Sequence, residues 1–230
     1  MRRIILASAS PRRENLLRQL GLILEVFPSD IDEFIPEGEP PYEVAQRLAV
    51  DKVEDVAPRF KDALIIGADT IVVYEDRLMG KPANEEEAYE MVKTLQGKWH
   101  EVYTGVAMED ADTRRLAISH EVSRVKMRRL TYQEIRGYVA SGEPMGKAGG
   151  YAAQGLGAIL IERVEGCHYN VVGLPLFRVA YMLEGFGMNL LTGLGLEDVP
   201  GWENRKAILG SLDPRAKLGF RGWKGEEKRD

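Results

Sequence analysis

Cysteine is almost missing from this chain: one residue, Cys167, in 230. A single thiol excludes an internal disulfide framework and fits a reducing compartment, so a cytoplasmic location is expected. Histidine is nearly as scarce. His100, His120 and His168 lie far apart, with no CxxC or HxxxH spacing to close a zinc site. Any metal must therefore sit on oxygen ligands, which points to magnesium or manganese. There is no run of eighteen apolar residues, and Met1-Arg2-Arg3 leads into a short apolar strand rather than a signal-peptide core. A basic surplus is missing too. The 31 lysines and arginines against 36 acidic residues leave a net charge of −5, so neither nucleic acid nor a membrane surface is an expected partner.

What is present is the composition of a globular protein, 44% apolar and 29% charged, long enough for one or at most two domains. Ile4-Ile5-Leu6 reads as a strand running into a helix over residues 11–20, with Ser10 as N-cap, Pro11 first and Gly21 as the stop. Residues 23–27 form a second strand, followed by an acidic loop. Apolar spacing predicts a helix over 42–56, ended by Pro58, and a buried strand over 64–74. Asn84 caps a helix that Gly97 closes. Strands at 99–108 and 114–128 are joined through residues 109–112, and Thr131 with Glu134 makes a capping box for a helix ending near Gly142. Strands around 158–164 and 168–172 and a helix from Pro175 to about Glu184 complete the pattern. The alternation predicts an α/β fold on a mixed sheet. Residues 201–230, with eight basic and five acidic side chains and no sustained apolar period, read as an appended tail.

Two features of this pattern demand an explanation. The first is Arg12-Arg13 in the opening turn of a helix, where the partial positive charge and unpaired N–H groups favour acids. Together with Ser8 and Ser10 they would make a phosphate site; solvated arginines are the plainer alternative. The second is Asp69 inside Ile65-Ile66-Gly67-Ala68-Asp69-Thr70-Ile71, a carboxylate that must be paired or metal-bound if the strand is buried. Gly67 and Ala68 are expected to leave room beside it for a ligand. Lys81 sits in a rigid Gly-Lys-Pro turn, Glu33 in the acidic loop is a weaker oxygen ligand, and Lys52 weaker still. The stretch Lys147-Ala-Gly-Gly-Tyr151-Ala-Ala-Gln154-Gly combines backbone freedom with a cation, an aromatic ring and an amide, a mix suited to a nucleotide or simply a glycine-rich turn. Two other motifs fail: Gly142-Glu-Pro-Met-Gly-Lys-Ala has the wrong spacing for a P-loop, and Gly193-Leu-Gly195 lacks a third glycine.

In order, LASASPRRENLL, GADTIVV, GKP, TGV at 104–106, KAGGYAAQG and NVVGLP resemble the Maf family of nucleoside triphosphate pyrophosphatases, also known as septum-formation inhibitors, over residues 3 to about 188. The resemblance implies an elongated mixed sheet with flanking helices and a central cleft between two lobes, as in inosine-triphosphate pyrophosphatases, and a homodimer. It places this core in residues 1–190 and leaves 191–230 as an extension. It implies cleavage of a nucleoside triphosphate to the monophosphate and pyrophosphate with a divalent cation, magnesium or manganese. Carried over by position, Asp69, Lys81, Arg12 and Arg13 are catalytic, and Ser8, Arg12, Arg13, Lys52, Thr70, Lys81 and Gln154 bind substrate. Glu33 and Asp69 hold the metal, and Asp69 is the proton acceptor, the ligand or both. Arg12, Thr70 and Gln154 fall on positions tied to substrate choice, with Gln154 reading the base edge. The KAGGYAAQG spelling resembles the dTTP/UTP subfamily, although AYGIQG is commoner there. The alternatives are 7-methyl-GTP or CTP as substrate, or a non-catalytic nucleotide sensor in septum formation.

Overall fold

A computed structural model describes residues 2–34 and 38–192, and the main chain of 219–221. Its strands are β1 (Arg3–Leu6), β2 (Leu24–Val26), β3 (Ala63–Tyr74), β4 (Arg77–Met79), β5 (Trp99–Asp110), β6 (Leu116–Met127), β7 (Ile161–Glu165) and β8 (Gly219–Arg221). The helices are α1 (Pro11–Gln19), α2 (Pro41–Val56), α3 (Glu85–Leu95), α4 (Tyr132–Ala140), α5 (His168–Val172) and α6 (Leu176–Gly185). One sheet runs β2-β1-β3-β5-β6-β7, with β4 added to β3 and β8 to β6. β1 is parallel to β2 and β3; the other pairings are antiparallel. The expected mixed sheet with flanking helices is therefore present. Apart from β8 and residues 191–192, the extension expected from 191 onward lies outside the described residues.

The long strand β3 carries the site because its two ends have different neighbours. Along one edge, residues 63–66 pair with β1 and residues 72–74 pair with β4. Among the described residues none pairs with 67–71 as a strand on that edge, while β5 runs beside the whole stretch on the other. Asp69 and Thr70 stand in this gap. The chain leaves β1 there and turns directly into α1, so a crevice opens at the carboxyl end of a parallel strand. Separate apolar clusters flank it: Leu16, Leu17, Val179 and Met182 pack on one side, and Val92, Leu95, Ile135 and Val139 on the other.

Alternation along β3 sends residues 65, 67, 69 and 71 to the face covered by α2. Here glycine acts through its missing side chain. A Cβ on Gly67 would meet the Ala49 carbonyl oxygen at 2.7 Å, and one on Gly105, opposite Asp69 in the ladder, would meet that of Ala45 at 2.0 Å. The space expected beside Gly67 for a ligand is thus filled by the α2 backbone. Ala68 faces the other way and is fully buried. This close approach brings Lys52 of α2 against Asp69. Gly105→Ala is expected to push α2 off the sheet and to cost about 1–3 kcal/mol or more in urea unfolding. Wild-type stability in that variant would show that the helix does not lie so close.

Local signals are kept at most element ends. Asn84 Oδ1 accepts from the Glu87 N–H at 2.9 Å, and Thr131 and Glu134 form the reciprocal capping box. Three expectations need correction. Residues 168–172 are a short helix, not a strand: Val171 and Val172 favour a strand locally, but Asn170 is buried and its Nδ2 donates to Val102 O and Ser123 Oγ, both at 2.9 Å. Residues 158–160 belong to a 3-10 turn, Gly155–Leu160, before β7 begins. The β5–β6 turn comes later than expected, because Asp110 stays in the strand and its Oδ1 accepts from the N–H groups of Asp112 and Thr113.

Candidate active site

Serine and proline start α1 without closing its end. Ser10 stands at the N-cap as expected, but its side chain makes no capping bond, and Pro11 brings no N–H. Ser8 Oγ instead accepts from the Ser10 N–H at 3.3 Å and from Arg13 Nη1 at 3.2 Å. The open helix end faces the gap beside β3, as an anion site requires.

The two arginines at that end do different work. Arg13 donates from Nε to the Gly173 carbonyl at 2.9 Å, and from Nη2 to Thr70 Oγ1 at 3.1 Å, besides its bond to Ser8. It ties the β1–α1 loop, β3 and the α5–α6 loop to one point. Burial lowers its pKa, and the Asp69 charge opposes that effect. Thr70 also bonds Thr104, whose hydroxyl donates to the Asn170 carbonyl at 3.1 Å, so the short helix that sequence reasoning missed supports the same wall. Arg12 makes no hydrogen bond among the described residues. It is half-buried, its pKa is lowered by that burial, and it faces Tyr138 and Glu143 across the cleft.

Opposite lies a chain of alternating charges. Lys52 Nζ bonds Asp69 Oδ1 and, at 2.9 Å, Glu33 Oε1; Lys81 Nζ reaches Glu33 Oε2 at 2.8 Å. Lys52 and Asp69 are each only 7% exposed, so their pairing offsets the cost of burying both groups. Burial raises the Glu33 pKa, but hydrogen bonds from Lys81 and Lys52 outweigh it and hold the carboxyl at about 2.

These side chains line one cavity of about 400 Å³. Arg12, Arg13, Lys52, Lys81 and Lys147 face it with Glu33 and Asp69 alone to balance them, a positive hollow in a chain of net charge −5. Its other half is apolar, built from Val72, Val102, Ala152, Ala153, Val171 and Val172 beside Tyr151. The Tyr151 hydroxyl is 2.6 Å from His100 Nε2, and burial pushes the His100 pKa down to about 4, which keeps that ring neutral at pH 7. Such a hollow suits a ligand with a polyanionic end and a flat, weakly polar end.

Of the residues singled out from the sequence, Ser8, Arg12, Arg13, Glu33, Lys52, Asp69, Thr70 and Lys81 all meet here. Gln154 does not. It is exposed at the head of the 3-10 turn, and the lining ends at Ala153. Reasoning from the sequence missed Glu143, which accepts from the N–H groups of Leu156 at 3.0 Å and Gly157 at 2.7 Å and from the Tyr138 hydroxyl at 3.3 Å. No local signal marks it, because its partners lie up to fourteen residues away.

Glu33 and Asp69 offer the hard oxygen atoms that magnesium and manganese take. Lysines already share Glu33 Oε1, Glu33 Oε2 and Asp69 Oδ1. Among the described residues no three His, Cys, Asp or Glu side chains gather around a common point that could hold an ion. The pair therefore fits a cation that brings most of its ligands with it, such as one carried on phosphate oxygens.

The family described as Maf-like protein matches residues 3–186. A dTTP/UTP pyrophosphatase of Pelotomaculum thermopropionicum is 52% identical over 83% of this chain and 100% of its own length. Proteins of the same name from Ruminiclostridium cellulolyticum and Caldicellulosiruptor saccharolyticus are 50% and 46% identical, covering 80% and 84% of this chain and 96% and 99% of theirs. A solved HAM1 protein from Coxiella burnetii overlaps 92% of this chain and 100% of its own at 15% identity, with a TM-score of 0.42 too low to carry weight.

Proposed function

Since this chain belongs to the Maf-like protein family, we propose that it is a nucleoside triphosphate pyrophosphatase that hydrolyses dTTP and UTP. Water adds at the α-phosphorus, the bond from that phosphorus to the bridging oxygen breaks, and the monophosphate and pyrophosphate leave. The observation that carries this reading is the cavity itself: five cations around a buried, lysine-paired carboxylate, with an apolar pocket alongside. It is supported by relatives named dTTP/UTP pyrophosphatases that align over more than four-fifths of the chain.

In this reading the base enters the apolar half and the phosphates lie over the open end of α1. Arg12 offers a planar pair of donors to them, and Lys81 adds charge. Arg13 positions Ser8 and Thr70 rather than gripping phosphate with all its donors, because its own are bound to the protein. Asp69, oriented by its hydrogen bond from Lys52, takes the proton of the attacking water. Positive groups around the departing pyrophosphate stabilise the charge it gains. Glu33 and Asp69 would hold a magnesium or manganese ion that comes with the nucleotide; when bound, it supplies charge to the phosphate oxygens and acidifies nearby water. Among the described residues no helix is long and apolar enough to cross a membrane. A homodimer, as the family resemblance implies, in the cytoplasm, as the single cysteine suggests, completes the proposal.

Initial rates of pyrophosphate release across a nucleotide panel test it. dTTP and UTP are expected to lead, with turnover lost on chelation and restored by magnesium or manganese. A preference for 7-methyl-GTP or CTP would overturn the substrate assignment, and the absence of hydrolysis of every nucleotide would overturn the activity.

A further inference from the structure

Most cations in the cavity are committed to other groups. Lys52 and Lys81 hold carboxylates, and Arg13 is bonded to a carbonyl and two hydroxyls. Two cations differ. Among the described residues Arg12 makes no hydrogen bond, and the side chain of Lys147, in the glycine-rich segment after α4, donates only to the main-chain oxygen of Glu143, which leaves two of its ammonium N–H groups over. The acid placed to neutralise them does not do so by contact. The Glu143 carboxylate is bonded to Leu156 N, Gly157 N and Tyr138 Oη, and bonds neither cation directly.

Both side chains line the same cavity and both are half-buried. Burial lowers the Lys147 pKa, and the Arg12 charge lowers it further, so the two cations feel each other. Holding like charges on facing walls with few counter-charges costs free energy in the empty protein. A polyanion between them reverses the sign of that cost.

We infer that Lys147 is a polyphosphate-binding residue that grips the pyrophosphate portion of the substrate from the glycine-rich segment, together with Arg12 at the start of α1. The inference rests on the pyrophosphatase reading and adds a contact to it. The glycine-rich segment then has two functions: Tyr151, Ala152 and Ala153 wall the base, and Lys147 at its start reaches the phosphates. The substrate's charged end is then held by two segments that line the same cavity.

The test separates the two ends of the ligand. Binding of pyrophosphate and of UMP is measured by calorimetry on the full chain and on Lys147→Met and Lys147→Arg. Lys147→Met is expected to weaken pyrophosphate binding by about tenfold or more, the size of a lost charge-assisted hydrogen bond, and to leave UMP binding unchanged. KM for UTP should rise in step, and Lys147→Arg should recover most of the loss. Unchanged pyrophosphate affinity in Lys147→Met would overturn the inference while the wild type still hydrolysed UTP. Equal weakening of both ligands would overturn it too, because that is the mark of a loop that has merely lost its shape. If the wild type cleaves no nucleotide, the parent reading fails, and pyrophosphate binding still decides the role of Lys147.

Discussion

Replacing Asp69 by asparagine is expected to cut kcat for UTP and dTTP by about 10²- to 10⁴-fold, the span covered by loss of a positioned proton acceptor. The change keeps size and shape and removes only the charge and the ability to take a proton. Lys52 retains Glu33 as a partner at 2.9 Å, so it is not left alone in a buried site. Cooperative unfolding should therefore persist, and KM should move far less than kcat, since Arg12 and the end of α1 are untouched. Steady-state rates together with a thermal melt check both halves. Full activity in Asp69→Asn would remove this carboxylate from the chemistry and leave it as a structural anchor for α2.

Lys52→Met has the opposite profile, acting first on stability. The side chain is 9% exposed and bridges two carboxylates from different parts of the chain. Removing it leaves Asp69 buried without its partner, a change that typically costs about 3 kcal/mol or more. For a chain of this size that lowers Tm by roughly 6–12 °C. The pH dependence gives the sign. Glu33 titrates at about 2, below its ordinary 4.5, so its ion pairs stabilise the fold fully above the ordinary value and stop doing so as pH falls through about 2. The difference in Tm between wild type and Lys52→Met should accordingly shrink as pH falls from 7 toward about 2, where Glu33 loses its charge and no longer needs the lysine. A gap that stays constant from pH 7 to pH 3 would show that Lys52 acts by packing and not by charge.

The two variants also bear on how the site is assembled. Asp69 comes from the middle of β3, Lys52 from α2, Glu33 from the loop before it and Lys81 from the turn after β4. None of the four can be moved without disturbing the others. Gly67 and Gly105 let α2 lie low enough for Lys52 to reach Asp69, so a methyl group added at Gly105 would loosen the catalytic carboxylate as well as the fold. Stability and chemistry share these few atoms.

Local chemistry written along the chain was enough to determine a good deal. Apolar periodicity marked most strands and helices, Asn84 and the Thr131–Glu134 box located helix starts, and the oddity of two arginines in an opening turn and an aspartate in a buried strand pointed to the site. Such signals act over a few residues, so they survive without knowledge of the fold. Only the tertiary structure decided what depends on distant partners. It turned residues 168–172 into a helix held by buried Asn170, left Gln154 outside the cavity, and gave the space beside Gly67 to a helix. It also separated Arg12 from Arg13, neighbours with the same chemistry, by giving Arg13 three hydrogen-bond partners and Arg12 none among the described residues. A side chain's type is set by the sequence at its own position, but its role is set by the groups that long-range packing places within about 3 Å of it, the reach of a hydrogen bond.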